Sequence, residues 1–244
     1  KSIGSSLVKG NMKHVAFSFK WFFSDYSDEW YKSIFAPFKG LKGEITPSYS
    51  MLSKEDISRM YAMAPNAKLV LMLRNPIDRA WSHFRHTKKR IEGFTLDNFE
   101  ESEIMAFMKS EGQVLRSDYV RTIENFTSIF PKEQLLIGFF DAIVEAPEQL
   151  LEEVIQFIST SNDAEEALNK SWNADEAATK KVVNKSIELD CPPAVLALLK
   201  DMYHDMILDL ANQYGGYFNK WYLESYGKPS ENQDDRLFCT TMLK

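Results

Sequence analysis

The sequence predicts an α/β fold, and two apolar runs carry that prediction. Lys68-Leu69-Val70-Leu71-Met72-Leu73 and Leu135-Leu136-Ile137-Gly138-Phe139-Phe140 have the length and unbroken apolar character of strands buried on both faces. Segments with apolar residues at helical spacing flank both runs. Helix, turn, buried strand, helix is the unit from which α/β layers are built. At 244 residues, with 44% apolar and 13% aromatic side chains, the chain can bury a sizeable core. It reads as one domain over residues 1–244, ending in a polar tail at 227–244.

The first 42 residues, including "FSFKWFFSDYSDEWYKSIF", are aromatic without a clear period and read as loops and short elements packed on a core. Ser53 is placed to cap a helix, with Asp56 as its acidic partner, and Ile57, Met60, Tyr61 and Ala64 share one face. Pro65-Asn66 ends this helix and the first strand follows. Pro76 presets φ for the first turn of a helix running to about Arg90, with Gly93 as its breaker. A further helix is expected near 97–110. Tyr119, Ile123, Phe126 and Phe130 mark another, stopped by Pro131 before the second strand. Pro147 opens a helix with Leu150, Leu151, Val154, Ile155 and Ile158 on one face. Residues 159–180 are polar and read as loop plus a weak helix. Pro192-Pro193 opens a long helix carrying Leu196, Leu199, Tyr203, Ile207 and Leu210, and Gly215-Gly216 closes it. The polar stretch after Tyr226 is expected to fray.

Charge and composition exclude several classes. With 29 basic against 35 acidic residues, the net charge of −6 lacks the broad positive surface of a general nucleic-acid binder, though a local basic pocket remains compatible with it. Cys191 and Cys239 make neither a disulfide framework nor a metal set. His83 and His86 lie three apart on one helix but lack an evident third ligand, so surface or pocket histidines are the simpler reading. No apolar run approaches the roughly 20 residues of a membrane span, and no signal peptide is visible. A start at Lys1 without an initiator methionine reads as a fragment or processed form.

The strand end at Arg74 is the chemical candidate. A strand feeding a helix presents free N–H groups and the positive end of the helix dipole, both favourable to an anion. Arg74 adds a permanently charged fork, and Ser82, eight residues on, adds a hydroxyl. Spacing equally allows Arg74 to pair with Asp78 and Ser82 to be a plain surface serine. The stretch "GEITPSYSML" (43–52), taken by itself, is a turn with a buried tyrosine ahead of the Ser53 helix.

Together, "GEITPSY" and, about 20 residues later, "KLVLMLRNPIDRAWSHF" resemble the sulfotransferases that use 3′-phosphoadenosine 5′-phosphosulfate (PAPS), in particular their bacterial and Golgi-type carbohydrate branch. "DEWYKSIF" (28–35), "LRSDYVRTIENF" (115–126) and "LLIGFFDAIVEAPEQLLEEVIQFI" (135–158) are similar to further family segments in the same order. The likeness covers roughly residues 13–222. It implies a three-layer parallel sheet with helices on both faces, like that of the P-loop nucleotide kinases. It also implies a PAPS donor yielding 3′-phosphoadenosine 5′-phosphate, no metal, and a small-molecule or glycan acceptor offering a hydroxyl or amine. Arg74 and Ser82 occupy the positions that hold the donor's 3′-phosphate. The resemblance places a bacterial member in the cytoplasm and a eukaryotic one in the Golgi lumen.

The chain departs from the family pattern at three places. The phosphosulfate loop, Lys-x-Gly-Thr-Thr-x-Leu, is echoed in "KSIGSSL" by Lys1, Gly4, Ser5, Ser6 and Leu7 with one residue too many, so the true loop is expected upstream, or else shortened and degenerate. In "KHVAFSF" (13–19) His14 stands where the branch has its candidate glutamate base, and histidine can serve as a base near neutral pH. Ile45 replaces a lysine common among relatives, leaving Glu44 as the neighbouring candidate base. Lys180, Lys181 and Lys185 could reach donor phosphates, Lys185 being the candidate, or form a solvated basic run. Trp21, Phe22, Trp30 and Tyr31 could line an acceptor cleft or belong to the core. Two other classes stay open. One is a non-catalytic nucleotide-binding or interaction module of this fold. The other is a different nucleotide-dependent transferase, which would want a full Gly-x-x-x-x-Gly-Lys-Ser/Thr loop.

Overall fold

The computed structural model describes residues 27–37, 40–88, 99–159, 189–232 and 234–242. The chain divides into two compact units, Lys1–Thr46 and Pro47–Lys244. In the first, helix α1 (Asp28–Phe35) begins where the Ser27 hydroxyl accepts the Trp30 amide at 3.2 Å. It buries Ile34 and sets the Tyr31 ring edge-on to Phe35.

The second unit opens with a tight turn, Pro47–Met51, followed by α2 (Lys54–Met63). Ser53 caps α2 as its sequence requires, accepting the Asp56 amide at 3.1 Å and donating to the Asp56 carboxylate at 2.9 Å. Strand β1 (Leu69–Leu73) leads through two residues into α3 (Pro76–Lys88). Three short helices come next: α4 (Glu101–Met108), α5 (Glu111–Ser117) and α6 (Tyr119–Thr127). Then come β2 (Leu135–Phe139), α7 (Phe140–Glu145) and α8 (Pro147–Ile158). After residue 188 follow α9 (Pro193–Tyr214), α10 (Tyr217–Tyr226) and β3 (Thr240–Met242). The expected loop and weak helix at 159–180 fall almost wholly outside the described residues.

β1 and β2 pair in parallel, in register from Leu69↔Leu135 to Leu73↔Phe139. Alternation within this pair sends Leu73, Leu135, Ile137 and Phe139 into one core with Ile57, Ile77, Phe84, Leu199, Tyr203 and Trp221. On the other face, Leu150 of α8 lies against Gly138, while Met72 stays 42% exposed. β1 is therefore not buried on both faces as its apolar run predicts. Among the described residues it has one strand neighbour, so its second face and outer edge are only partly covered.

The all-parallel sheet expected from the family resemblance needs correction, because β3 joins the far side of β2 antiparallel, pairing Leu136↔Met242 and Gly138↔Thr240. The expectation of a fraying tail fails for the same reason. Polar side chains hold the tail by its backbone. The Asn219 amide donates to the carbonyls of Asn232 (2.7 Å) and Asp234 (3.1 Å) and accepts from the Ser230 hydroxyl. Asn212 accepts the Glu231 amide at 2.9 Å. The reversal between α9 and α10 needs φ of +66° at Gly215 and +57° at Gly216, and a side chain at Gly215 would come within 2.7 Å of the Asp234 carbonyl.

Asn219 is buried, so Asn219→Ala strips hydrogen-bond partners from two tail carbonyls at once. The expected cost is about 2 kcal/mol in a urea titration, with loss of hydrogen-exchange protection concentrated at residues 229–242.

Candidate functional site

The site is built on the two-residue break between β1 and α3. Asn75 is buried, and its side-chain oxygen accepts the Ile77 amide at 3.1 Å, capping the helix whose first position is Pro76. The Asn75 carbonyl takes the Arg79 amide at 2.8 Å. The Arg74 carbonyl would otherwise lie in the gap between strand and helix. It accepts the Tyr119 hydroxyl at 2.7 Å, from a side chain that is itself 4% exposed. Burial raises the Tyr119 phenol well above the ordinary tyrosine value, so it remains a donor across the physiological range.

The polar groups of the strand-end motif divide into two sets. One set is committed to the scaffold. The Arg79 guanidinium donates to the Ser117 hydroxyl through Nε at 2.8 Å and to the Gln113 carbonyl at 3.2 Å. Trp81 Nε1 donates to the Leu189 carbonyl at 2.8 Å, and His83 Nδ1 lies 2.6 Å from Gln113 Oε1. The other set is Arg74, Asp78 and Ser82. Among the described residues, the Arg74 guanidinium and the Ser82 hydroxyl form no hydrogen bond or ion pair. The Arg74 guanidinium lies 4.8 Å from the centroid of the Phe140 ring. The alternative in which Arg74 is consumed by Asp78 is not what the structure shows. Desolvation raises the Asp78 carboxyl, and the Arg74 charge opposes that rise without forming a pair.

α6 ties two motif segments together. While Tyr119 holds Arg74, Arg121 Nη2 and the Thr122 hydroxyl donate to the Ser50 carbonyl at 2.8 and 3.1 Å. This fixes the turn at the end of "GEITPSYSM", where Tyr49 is half-buried and packs against the core. The sequence marked this helix by the spacing of Tyr119, Ile123 and Phe126. The hydroxyl's bond to a carbonyl 45 residues away left no trace in that spacing.

The remaining candidates stand elsewhere. Glu44 is exposed in the first unit and accepts the Tyr31 hydroxyl at 2.8 Å, beside an Ile45 that is 96% exposed. Trp30 and Tyr31 are half-buried on α1. His14, Lys185, Lys180, Lys181, Trp21, Phe22 and the Lys1–Leu7 segment lie outside the described residues. Among the described residues no group of three or more His, Cys, Asp or Glu side chains is arranged for a metal, and no helix is long and apolar enough to cross a membrane.

Residues 50–190, more than half of the chain, match the sulfotransferase domain family. The chain belongs to that family. Human heparan sulfate glucosamine 3-O-sulfotransferase 6 is 30% identical over 129 residues, covering 48% of this chain and 35% of that protein. Mouse heparan sulfate glucosamine 3-O-sulfotransferase 3B1 is 27% identical over 136 residues, covering 53% and 34%. The chain thus spans about a third of the length of these curated relatives. The crystal structure of a sulfotransferase from Alicyclobacillus acidocaldarius is similar with a TM-score of 0.52 and 20% identity, over 78% of this chain and 72% of that one, a likeness of fold. Arg74, Ser82, Tyr119 and Phe140 all fall inside the family match, whereas Glu44 and His14 precede it.

Two outcomes follow from this geometry. Tyr119→Phe removes one buried hydrogen bond and leaves the Arg74 carbonyl short of a partner, so it should lower unfolding stability by about 1–2 kcal/mol in urea. The second concerns pH. Burial holds the His83 imidazole below the ordinary histidine value, outweighing the Gln113 contact, and Arg79 and Arg116 push the same way. The unfolded chain takes up this proton near pH 6.5, the folded one only at lower pH. The stability tied to neutral His83 is therefore complete above about pH 6.5 and lost as pH falls toward the depressed value. Urea midpoints between about pH 7.5 and 5 should fall more steeply for the wild type than for His83→Asn.

Proposed function

We propose that the chain binds PAPS and transfers its sulfuryl group to a hydroxyl or amine of a carbohydrate acceptor. The observation that carries this reading is the contrast within one motif. Asn75, Arg79 and Trp81 are bound by the scaffold, while Arg74 at the strand end and Ser82, two turns along α3, offer donors that no described residue takes up. A planar guanidinium at a strand end, without a hydrogen-bond or ion-pair partner among the described residues, suits a phosphate monoester, and the Ser82 hydroxyl supplies a second donor in the proposed complex. In the proposed complex Arg74 and Ser82 hold the 3′-phosphate. The carbohydrate acceptor is supported by the two relatives named for heparan sulfate glucosamine. The three-layer, P-loop-kinase-like sheet belongs to the same proposal, supported by the parallel β1–β2 pair.

Sulfuryl transfer resembles phosphoryl transfer, in which alignment and charge stabilisation supply most of the rate. Binding at the remote 3′-phosphate aligns the sulfate for in-line attack by the acceptor oxygen or nitrogen. Glu44 or His14 takes the acceptor's proton, and Lys185 contributes charge to the donor phosphates. The Glu44 carboxylate accepts the Tyr31 hydroxyl at 2.8 Å.

The test is calorimetric titration of 3′-phosphoadenosine 5′-phosphate into the full chain. Arg74→Ala should weaken binding about 10- to 100-fold and Ser82→Ala about 10-fold, the range for hydrogen bonds to a charged group. Adenosine 5′-phosphosulfate, which lacks the 3′-phosphate, should bind the wild type weakly and be indifferent to Arg74→Ala. Equal affinity of wild type and Arg74→Ala for the bisphosphate overturns the assignment. Transfer is then scored as acceptor-dependent release of 3′-phosphoadenosine 5′-phosphate from PAPS.

A further inference from the structure

The register of the parallel pair carries one consequence beyond the anchor itself. Leu73 faces Phe139, so the next residues along, Arg74 and Phe140, are neighbours on the opposite side of the sheet from the core. Phe140 is the first residue of α7 and is 42% exposed. One step back on this face, Met72 lies over Gly138, and a methyl group there would come within 2.6 Å of the Met72 sulfur. The glycine lets Met72 lie low beside the sheet, and the guanidinium occupies the next place, over the Phe140 ring.

We propose that Phe140 is a positioning residue for Arg74, holding the guanidinium by its face so that its N–H edges stay free for a phosphate. The inference rests on the reading of Arg74 as the donor's 3′-phosphate anchor. A carboxylate partner would have the opposite effect, occupying the N–H edges and cancelling the charge. Carboxylates are near. The Asp141 charge is felt at Asp78, and Arg74 is felt there too. Yet Asp141 accepts Trp221 Nε1 at 3.1 Å, and Glu145 accepts the Tyr217 hydroxyl and pairs with Lys220. Those two acids are tied to α10, Asp78 feels the Arg74 charge without forming an ion pair with it, and the side-chain contact Arg74 makes is with an aromatic ring. Stacking on a ring costs the guanidinium none of its donors. With Tyr119 fixing the Arg74 backbone, the side chain is restrained at both ends before a ligand arrives.

The experiment is a double-mutant cycle on the full chain, with 3′-phosphoadenosine 5′-phosphate as the titrant. Phe140→Leu should weaken binding about 3- to 10-fold, and Phe140→Trp should restore wild-type affinity, because the tryptophan face binds a cation at least as well. In an Arg74→Ala background Phe140→Leu should have no further effect. That loss of effect is the signature of action through Arg74, which a merely structural role would not give. Wild-type affinity in Phe140→Leu, or an equal loss in both backgrounds, overturns the positioning role while leaving the anchor intact. Binding by the wild type that does not depend on Arg74 overturns the anchor and the positioning role together.

Discussion

The hydrogen bond from the Tyr119 hydroxyl to the Arg74 carbonyl fixes the point on which the candidate site depends. Changing from strand to helix within two residues leaves backbone groups that neither element can satisfy. Here each finds a partner of a different kind: a buried phenol for Arg74, the Arg79 amide for the Asn75 carbonyl, and the Asn75 side chain for the Ile77 amide. Once these are made, the main chain at Arg74 has little freedom. The helix that supplies the phenol also grips the Ser50 carbonyl, so two sequence-distant segments share one support.

Electrostatics around that point are mixed. The chain is acidic overall, and Asp78, Asp141, Glu145 and Glu224 gather near the strand ends. Desolvation raises the carboxyls of Asp78 and Glu224, and Asp141 adds to both. An anion approaching Arg74 therefore meets no general positive field. The positive charge at this point is local, a single guanidinium fork among carboxylates. A net-acidic chain thus keeps this arginine out of any ion pair with the described residues.

Much of this was readable beforehand. The Ser53 cap, the proline starts of α3, α8 and α9, and both long apolar strands stand near where periodicity and punctuation put them. Arg74 and Ser82 were legible as candidates through the resemblance of "RNPIDRAWS" to a family motif, spacing alone leaving the anion-site and pairing readings open. Phe140 was not, because its partner lies across a strand pair whose register no local pattern encodes. The tail misled for a related reason. Its asparagines and aspartates have the composition of a solvated end, yet Asn212 of α9 and Asn219 of α10 bind its backbone, and Asn232 binds the Asp234 amide within it, a kind of burial hydrophobicity does not register. α10 was also missed, since "YFNKWYLESY" buries aromatic residues around more than one face and shows little period.

β3 gives the order of assembly a consequence of its own. It covers the edge of β2 that β1 leaves bare, and the Phe139 amide, next to the ring beneath Arg74, donates to the Cys239 carbonyl at 3.2 Å. A chain emerging from the ribosome presents β1, α3 and β2 long before it presents β3. Through that interval β2 is an apolar strand with an open edge, the form most prone to join a neighbouring chain. Completion of the sheet beside Phe140 thus waits on residues 239–242, and the chance of misassembly during synthesis is set by how long that edge stays uncovered.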